Sequence, residues 1–395
     1  MRREYVRLAA EEEIIIARDA IEDLRSVEAV IFDCDGVLID TKRSYDMAIL
    51  MTVDQIFSKM LHVEFLGQPV GTEEIRLLRS TGGFNNDANT AYILTLWLFV
   101  NLPDDVLMRL KDLFNKNVEE SHKQRPDVLF QHLSRNMLLN QGYRPSMVKE
   151  VAHPIREVVA EARRGSSVLV TSEMIDKILA EIAARKGFLN EYNHFKQVLG
   201  KPGEYGSGLL ETIFSDLYYG EEIVSRIYGH GPYFRLGKGL YTNESIFIKE
   251  ETLRRLASKL GREHLGIVSG RDRTVPEIVL GRLVKYFNMD ASVFIADEEK
   301  LGAPPSIEKP SPYSLIKSIS SMGNVFKAVY VGNSAEDIMM ARNAANFGVK
   351  TLFIGVTGLS PNPPLDREMF ISMGADAIVE TPDSLIDVLI GGGRT

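Results

Sequence analysis

The sequence predicts an α/β protein in which a doubly wound parallel sheet carries a large, mainly helical insertion. A short and almost continuous apolar run at residues 27–32 is typical of a strand buried on both faces of a parallel sheet. Strand-like and helical segments alternate after residue 248, which favours right-handed parallel crossovers. Helical patterns recur between residues 44 and 247, where strand-like runs are scarce. We therefore predict a core of residues 1–43 and 248–395 and a helical domain of residues 44–247.

Composition excludes several functional classes. The formal net charge of -8 argues against a nucleic-acid partner, which requires a basic surface. A single cysteine, Cys34, allows neither an intrachain disulfide nor a thiolate zinc cluster. The longest apolar stretch, Ala91 to Val100, is too short to span a bilayer, so we expect no membrane partner. Because the acidic residues 11–13 interrupt any apolar signal-peptide core, we expect a cytoplasmic protein.

Local patterns predict individual elements of the core. Helical spacing with mixed charges over residues 5–25 predicts an N-terminal helix. In the C-terminal part we expect strands at residues 265–268, 292–296, 328–331 and 349–354, and helices at residues 253–260, 275–287, 312–320 and 335–345. Ligands of doubly wound sheets bind beyond the carboxyl ends of the strands, so the polar residues there are the first candidates for a functional site.

The polar residues at these strand ends suit phosphoryl transfer. A carboxylate such as Asp33 can attack phosphorus and form an aspartyl-phosphate. A second carboxyl group two residues later, Asp35, can protonate the leaving oxygen and then activate water. Ser269, with the backbone amides that follow it, and the Lys309 ammonium can supply donors to the phosphoryl oxygens. Carboxylates crowded around a dianion require a cation, and such an oxygen-lined site favours Mg²⁺.

Four motifs in sequence order resemble those of the haloacid dehalogenase (HAD) superfamily. The segment Asp33-Cys34-Asp35-Gly36-Val37-Leu38-Ile39-Asp40 resembles the first motif, DxDG followed by V/T, L, a small apolar residue and D. Val268-Ser269-Gly270-Arg271 resembles the second, Glu308-Lys309-Pro310-Ser311-Pro312 the third, and Gly332-Asn333-Ser334-Ala335-Glu336-Asp337 the fourth. The resemblance implies a Rossmann-like catalytic core with a cap domain.

The resemblance also implies roles for particular residues. Asp33, Asp35, Ser269 and Lys309 would be catalytic, and Ser269, Gly270, Arg271 and Lys309 would contact the substrate. The same resemblance implies a Mg²⁺ site formed by Asp33, Asp35 through its backbone carbonyl, Asn333 and Asp337. Asn333 departs from the family pattern, which has an acidic residue there. Asp337 is then the expected acidic ligand, with Glu336 as an alternative.

The expected function is hydrolysis of a small phosphorylated metabolite by a Mg²⁺-dependent phosphatase. Asp35 indicates a phosphorylated substrate, because dehalogenases of the superfamily lack the second aspartate. An insertion between motifs one and two is the C1 cap arrangement and resembles the branch of phosphoglycolate phosphatase and β-phosphoglucomutase. At about 200 residues it is long for that branch. A phosphomutase and a non-catalytic phospho-ligand-binding protein are the alternatives.

One loop of the insertion is a candidate for substrate recognition. Residues 82–87 are turn-prone and surround a single aromatic residue. Asn85 and Asn86 in this loop could read substrate hydroxyls. The alternative is a solvent-exposed turn or a helix cap.

Overall fold

A computed structural model describes residues 3–8, 12–84, 86–121, 124–139, 146–148, 151–164 and 170–391. The chain forms two compact units. The sheet unit comprises Met1–Thr41 and Glu244–Thr395, and the helical unit comprises Lys42–Asn243. The predicted insertion, residues 44–247, begins two residues after Lys42 and ends four residues after Asn243.

The described residues form short strands in both units and helices throughout. The strands are β1 Tyr5–Leu8, β2 Ile14–Ala17, β3 Ala29–Phe32, β4 Ile39–Asp40, β5 Val63–Phe65, β6 Ser146–Val148, β7 Ser245–Ile246, β8 Leu265–Ser269, β9 Val293–Phe294, β10 Lys327–Gly332, β11 Lys350–Val356 and β12 Ala377–Val379. The α-helices are α1 Ile21–Arg25, α2 Lys42–Asp54, α3 Thr72–Arg79, α4 Asp87–Val100, α5 Asp104–Ser121, α6 Pro126–Leu139, α7 Ile155–Arg164, α8 Ser172–Arg185, α9 Leu189–Leu199, α10 Leu209–Tyr228, α11 Glu250–Leu260, α12 Thr274–Leu280, α13 Ile295–Lys300, α14 Tyr313–Ser321, α15 Ala335–Ala344 and α16 Pro363–Ser372.

Eight strands form the main sheet of the sheet unit, in the order β1-β2-β12-β11-β10-β3-β8-β9. The six strands from β12 to β9 are parallel, whereas β1 and β2 are antiparallel to their neighbours. Strand β3 lies between β10 and β8. The first motif follows β3, the fourth motif begins at the end of β10, and the second motif includes the end of β8. The parallel arrangement therefore places three motifs side by side at one edge of the sheet.

Both faces of this sheet are buried, as expected for a parallel sheet. Along β3, Val30 and Phe32 belong to one hydrophobic cluster and Ala29 and Ile31 to the other. Helices α11 and α12 contribute to the first cluster, and α14, α15 and α16 to the second. Helices thus cover both faces, and the predicted doubly wound α/β architecture is confirmed.

The N-terminal helix predicted over residues 5–25 is wrong. Residues 5–8 and 14–17 form the antiparallel strands β1 and β2, and among the described residues of this range only Ile21–Arg25 form an α-helix. Ile14, Ile15 and Ile16 are all buried, and β2 pairs with β12 at the other end of the chain. Three consecutive β-branched residues suit a strand buried on both faces, and this pairing outweighs the helical spacing.

The C-terminal elements follow the predictions with two differences. The strand predicted at residues 292–296 is limited to β9, because the chain turns into α13 at Ile295. The helix predicted at residues 275–287 is α-helical only to Leu280 and continues as a 3₁₀ turn to Tyr286. Gly281 has a positive φ of 51°, which interrupts regular α-helical geometry there.

Helix α4 is the central helix of the helical unit. It is buried on nearly all sides and is contacted by α2, α8 and α9. Trp97 packs within this core and donates its indole N–H to the carbonyl of His153 at 2.7 Å. No single helix of the described residues is long and apolar enough to cross a membrane, and α4 reaches that length and composition only with α5, which is bent from it by 110°.

A buried carboxylate, Asp216 on α10, organises another part of the helical unit. It accepts hydrogen bonds from the Tyr205 hydroxyl at 2.6 Å and from the Phe234 backbone N–H at 2.8 Å. Burial raises the pKa of Asp216 to about 6, and these hydrogen bonds only partly oppose the increase. The folded protein therefore holds a proton on Asp216 in a pH range where the unfolded chain, with a pKa of about 3.9, has released it.

We predict that this difference makes the stability of the protein depend on pH. The stabilisation from protonated Asp216 is fully present below the unfolded pKa and is lost as pH rises through about 6. The free energy of unfolding of wild type should therefore fall relative to that of Asp216→Asn as pH rises from about 4 to about 7. Urea unfolding of both proteins across this range measures the difference. A difference that is constant with pH would contradict the raised pKa.

Candidate active site

Three polar residues lie at the carboxyl ends of adjacent parallel strands. Asp33 directly follows β3, Ser269 ends β8 and Asn333 directly follows β10. The backbone N–H of Asp33 donates to the carbonyl of Val331 at 2.8 Å, which extends the pairing of β3 with β10 by one step. Asp33 and Ser269 are both buried. The strand register therefore fixes the spacing of these groups, as the sequence predicted.

The loop after Asp33 is a tight turn. The Cys34 carbonyl accepts hydrogen bonds from the N–H groups of Leu38 and Ile39, at 2.9 and 3.0 Å. Gly36 has a φ of +74°, and its N–H donates to the Ile39 carbonyl at 2.8 Å. The Cys34 side chain is fully buried. The turn therefore leaves Asp35 as the more exposed of the two motif aspartates, with 32% of its side chain accessible.

The Lys309 ammonium lies between two buried carboxylates. Its Nζ is 2.7 Å from Oδ1 of Asp33 and 2.8 Å from Oδ1 of Asp337. Only 12% of the lysine side chain is exposed, so water screens these contacts weakly. The third motif thus supplies a cation that connects the first motif with the fourth.

The electrostatics of this triad follow from burial and charge. Burial raises the pKa of Asp33 to about 7, while the Lys309 ammonium acts in the opposite direction. Burial also acts to lower the pKa of Lys309, but the two carboxylates hold it well above its ordinary value. For Asp337, Lys309 and nearby hydrogen-bond donors outweigh burial and lower the pKa. Lys309 is therefore firmly protonated.

The carboxylate of Asp337, which the sequence predicts as a metal ligand, is hydrogen-bonded within the protein. Its Oδ1 accepts hydrogen bonds from Lys309 and from the Tyr330 hydroxyl, the latter at 3.3 Å. Its Oδ2 accepts from the backbone N–H groups of Asn333 and Ser334 and from the Ser334 hydroxyl, at 3.0, 3.0 and 2.8 Å. This is the capping box at the start of α15. Asp337 thus orients Lys309 and closes the fourth motif, and five protein donors occupy the oxygens that were expected to bind metal.

The remaining oxygen donors still fit a hard cation. Asp33 supplies a carboxylate, Asp35 a backbone carbonyl and Asn333 a side-chain amide, all within the first and fourth motifs. Within the described residues no three His, Cys, Asp or Glu side chains form a metal-binding group. Glu336, the alternative ligand, is nearly buried, and burial raises its pKa to about 8.

Arg271 was expected to contact the substrate, but its guanidinium binds two carboxylates of the protein. Nη1 donates to Asp35 at 2.7 Å, and Nη2 donates to both oxygens of Glu244, at 3.1 and 3.3 Å. The Arg271 backbone N–H donates to Oγ of Ser269 at 3.3 Å. At Gly270, a Cβ would meet no atom of the described residues within 4 Å, so the backbone there is open to approach. No motif points to Glu244, and sequence reasoning missed it.

The predicted recognition loop of the helical unit is partly a helix cap. Asn85 lies outside the described residues. Asn86 is the N-cap of α4, and its side-chain oxygen accepts hydrogen bonds from the N–H groups of Ala88 and Asn89 at 3.0 and 3.2 Å. The side-chain oxygen of Asn86 therefore caps a helix, which was the alternative interpretation of this loop.

Comparison with known proteins supports the fold. No family model and no curated protein sequence matches this chain. An X-ray structure from the Northeast Structural Genomics Consortium is 18% identical, covers 91% of this chain and 98% of its own, and has a TM-score of 0.58. The phosphatase Tt82 from Thermococcus thioreducens is 19% identical, with coverages of 92% and 99% and a TM-score of 0.44. A haloacid dehalogenase-like protein from Agrobacterium tumefaciens is 14% identical, with coverages of 92% and 97% and a TM-score of 0.36.

The first of these likenesses extends over nearly the whole chain, so the architecture of sheet unit and helical insertion is one already known in proteins. The chain therefore has the predicted doubly wound α/β fold, with a mainly helical unit inserted after the first motif.

The close approach of Gly36 and Asn333 generates a prediction. A Cβ at position 36 would overlap with Nδ2 of Asn333 and lie 3.0 Å from its Cγ, and the positive φ adds roughly 1–2 kcal/mol of strain. Gly36→Ala should therefore lower the free energy of unfolding by more than the control Gly374→Ala. Gly374 has a φ of +78°, and nothing lies within 4 Å of its Cβ position.

Combining Gly36→Ala with Asn333→Ala isolates the overlap. The shorter side chain leaves only an ordinary contact with Cβ of residue 333, at 3.8 Å in the present structure. The excess loss over the control should then disappear, measured by urea unfolding. An equal loss for Gly36→Ala and Gly374→Ala would show that Asn333 does not restrict the side chain at position 36.

Proposed function

We propose that this chain is a Mg²⁺-dependent phosphatase of the haloacid dehalogenase superfamily that hydrolyses a small phosphomonoester through an aspartyl-phosphate on Asp33. One observation carries the proposal. A buried carboxylate at the end of the central strand lies against a protonated lysine, and a second, more exposed carboxyl group follows two residues later. This arrangement provides a nucleophile, a counter-charge and a proton donor at one edge of the sheet.

In the first step an Asp33 oxygen attacks phosphorus as the bond from phosphorus to the leaving oxygen breaks. Lys309, bonded to Oδ1 of Asp33, limits rotation of that carboxylate and supplies positive charge near the incoming dianion. Asp337 holds the lysine from its other side, so the ammonium keeps its place when Asp33 becomes esterified. The lysine is thereby ready to bind a phosphoryl oxygen.

Asp35 manages the protons of both steps. In its acid form it gives a proton to the leaving oxygen, which departs as an alcohol. In the second step its carboxylate takes a proton from the water that attacks the aspartyl-phosphate, which releases inorganic phosphate and restores Asp33. The partial exposure of Asp35 favours this role, because leaving group and water must both reach it.

The second motif would bind the phosphoryl oxygens. Ser269 ends β8 beside Asp33, and the backbone at Gly270 is open to approach. Their hydroxyl and amide groups can donate to oxygens that gain charge in the transition state. Bound Mg²⁺, held by Asp33, the Asp35 carbonyl and Asn333, would compensate the repulsion between the substrate dianion and the carboxylates.

The proposal is tested with a panel of small phosphorylated metabolites, with and without Mg²⁺. Sugar phosphates, phosphorylated hydroxy acids and nucleotides are the classes to include. Release of inorganic phosphate that requires Mg²⁺ supports a phosphatase. Complete inactivity towards the panel and towards p-nitrophenyl phosphate would contradict the proposal.

We predict that Asp33→Asn reduces turnover of p-nitrophenyl phosphate by at least about a thousandfold, because an amide oxygen cannot form the ester with phosphorus. Mass spectrometry of acid-quenched protein should detect a phosphoryl adduct on wild type and none on the variant. Asp23→Asn is the matched control, since it removes a carboxylate that also binds lysines, Lys327 and Lys350, beside the amino ends of β10 and β11. Full activity of Asp33→Asn would exclude the mechanism.

The neutral ligand at position 333 predicts weak binding of the ion. Asn333→Asp adds a carboxylate to a set that otherwise contains one, so Mg²⁺ should bind roughly tenfold more tightly. Without Mg²⁺ the added repulsion should lower the melting temperature, and Mg²⁺ should raise it by more than in wild type. Calorimetric titration and thermal unfolding measure both effects.

The control for this prediction is Asn362→Asp. Asn362 is the N-cap of α16, where aspartate caps equally well, so the control makes the same change of charge in the same unit. It should leave Mg²⁺ binding unchanged. If Asn333→Asp also left it unchanged, position 333 would not be a ligand.

A further inference from the structure

Glu244 is a buried carboxylate that the mechanism above does not use. Its side chain is fully inaccessible to solvent, and both oxygens accept hydrogen bonds from Nη2 of Arg271. It is the first residue of the sheet unit after the helical insertion ends at Asn243. An ionised group is rarely buried to this extent without a specific partner, and the arginine supplies one.

A two-stranded ribbon places Glu244 beside the turn that follows Asp33, residues 34–38, which is called the catalytic loop below. Strand β4, which follows the loop, pairs antiparallel with β7, with Ile39 opposite Ile246 and Asp40 opposite Ser245. The Phe247 N–H extends the ribbon by donating to the Leu38 carbonyl at 2.8 Å. Glu244 immediately precedes β7, so the pairing that closes the catalytic loop also fixes the position of this carboxylate.

Arg271 links Glu244 to Asp35. Its guanidinium is nearly buried and directs Nη1 to Asp35 and Nη2 to Glu244. A planar guanidinium that binds carboxylates on two sides has little freedom to rotate. Exposure increases along the chain of contacts, from none at Glu244 to about a third of the side chain at Asp35. Asp35, the proposed proton donor, is therefore accessible to solvent, and Glu244 is not.

General acid catalysis depends on where the carboxyl group lies. The proton must be within hydrogen-bonding distance of the leaving oxygen as that oxygen departs, and an unrestrained aspartate samples several rotamers. The contact with Arg271 restricts Asp35 to one of them. Glu244 binds the second nitrogen of this guanidinium and so contributes to its orientation.

We propose that Glu244 is a positioning residue for the proton donor of the reaction. It fixes the Arg271 guanidinium, which in turn holds the Asp35 carboxyl group at the leaving oxygen. The inference rests on the proposed phosphatase function, in which Asp35 gives its proton to the leaving oxygen as the Asp33–phosphorus bond forms. In this proposal Glu244 acts through Arg271 and not by contact with the substrate.

The test compares two leaving groups in Glu244→Gln. The value of kcat/KM reports the steps up to departure of the leaving group. The p-nitrophenolate ion departs without a proton, whereas an alkoxide needs one. Glu244→Gln should reduce kcat/KM for glycerol 2-phosphate by roughly ten- to a hundredfold, a part of the full contribution of a general acid. It should leave kcat/KM for p-nitrophenyl phosphate within about threefold of wild type.

A double-mutant cycle with Asp35→Asn separates positioning from a structural role. Asp35→Asn alone should show the same selective loss, and larger. Adding Glu244→Gln to it should cause no further loss for glycerol 2-phosphate, because Glu244 acts only through Asp35.

Glu244→Asp, which keeps the charge, should recover part of the activity. Arg271→Lys, which keeps the charge but not the fork, should reproduce the selective loss and serves if Glu244→Gln does not fold.

The control is Asp376→Asn in the same unit. Asp376 is buried and binds two arginines, Arg3 and Arg342, at 2.7 and 3.0 Å. Its replacement should lower the melting temperature without changing the ratio of the two kcat/KM values.

Equal losses on both substrates in Glu244→Gln, or additive losses in the cycle, would overturn the positioning role. If wild type is active but Asp35→Asn is not selective, the assignment of the acid fails and this inference fails with it. The nucleophile on Asp33 is tested separately by the phosphoryl adduct.

Discussion

The ammonium of Lys309 connects groups that are far apart in sequence, and the rest of the candidate site depends on this contact. It binds Asp33 after β3 and Asp337 at the start of α15, and all three side chains are nearly buried. Three charged groups at such a site would be costly if any were unpaired. Because each has a partner, the carboxyl ends of β3 and β10 can hold charge where most sheet residues are apolar. The parallel pairing of these strands and the capping box of α15 are the structural conditions for this contact.

Sequence reasoning predicted most of the sheet unit because the patterns that indicate its strands and helices are local in the sequence. The apolar runs of β3, β8, β10 and β11 each end in polar or glycine residues, and the alternating helices cover both faces. The N-terminal hairpin was missed because its cause is not local. Ile14, Ile15 and Ile16 are buried by pairing with β12, more than 350 residues later in the chain. No pattern within residues 5–25 reports on that partner, and the spacing of apolar residues there also fits a helix.

The candidate site was predicted by residue type more completely than by role. Asp33, Ser269 and Asn333 lie at strand ends, as the sequence indicated, and Lys309 binds both Asp33 and Asp337. The role of Asp337 depends on the geometry of a helix N-terminus, where backbone N–H groups converge on its carboxylate. Arg271 also binds Glu244, which has no motif and directly precedes β7, the strand that pairs with β4. Patterns of residue types identify reactive groups, whereas hydrogen-bond partners follow from tertiary structure.

The two motif aspartates are held in the same way. Each binds a cation, and each cation binds a second carboxylate that is more deeply buried: Lys309 pairs Asp33 with Asp337, and Arg271 pairs Asp35 with Glu244. A cation shared with a permanent anion attracts the reactive aspartate less strongly than an unshared cation would, since part of its charge is already compensated. In the proposed mechanism the aspartate is thereby oriented but can still react, Asp33 by forming an ester and Asp35 by gaining a proton. When either aspartate lost its negative charge in that mechanism, the cation would retain one anionic partner and would not be left unpaired in a buried position. The non-reacting carboxylates Asp337 and Glu244 thus allow the charge on the reacting pair to change without disrupting the site.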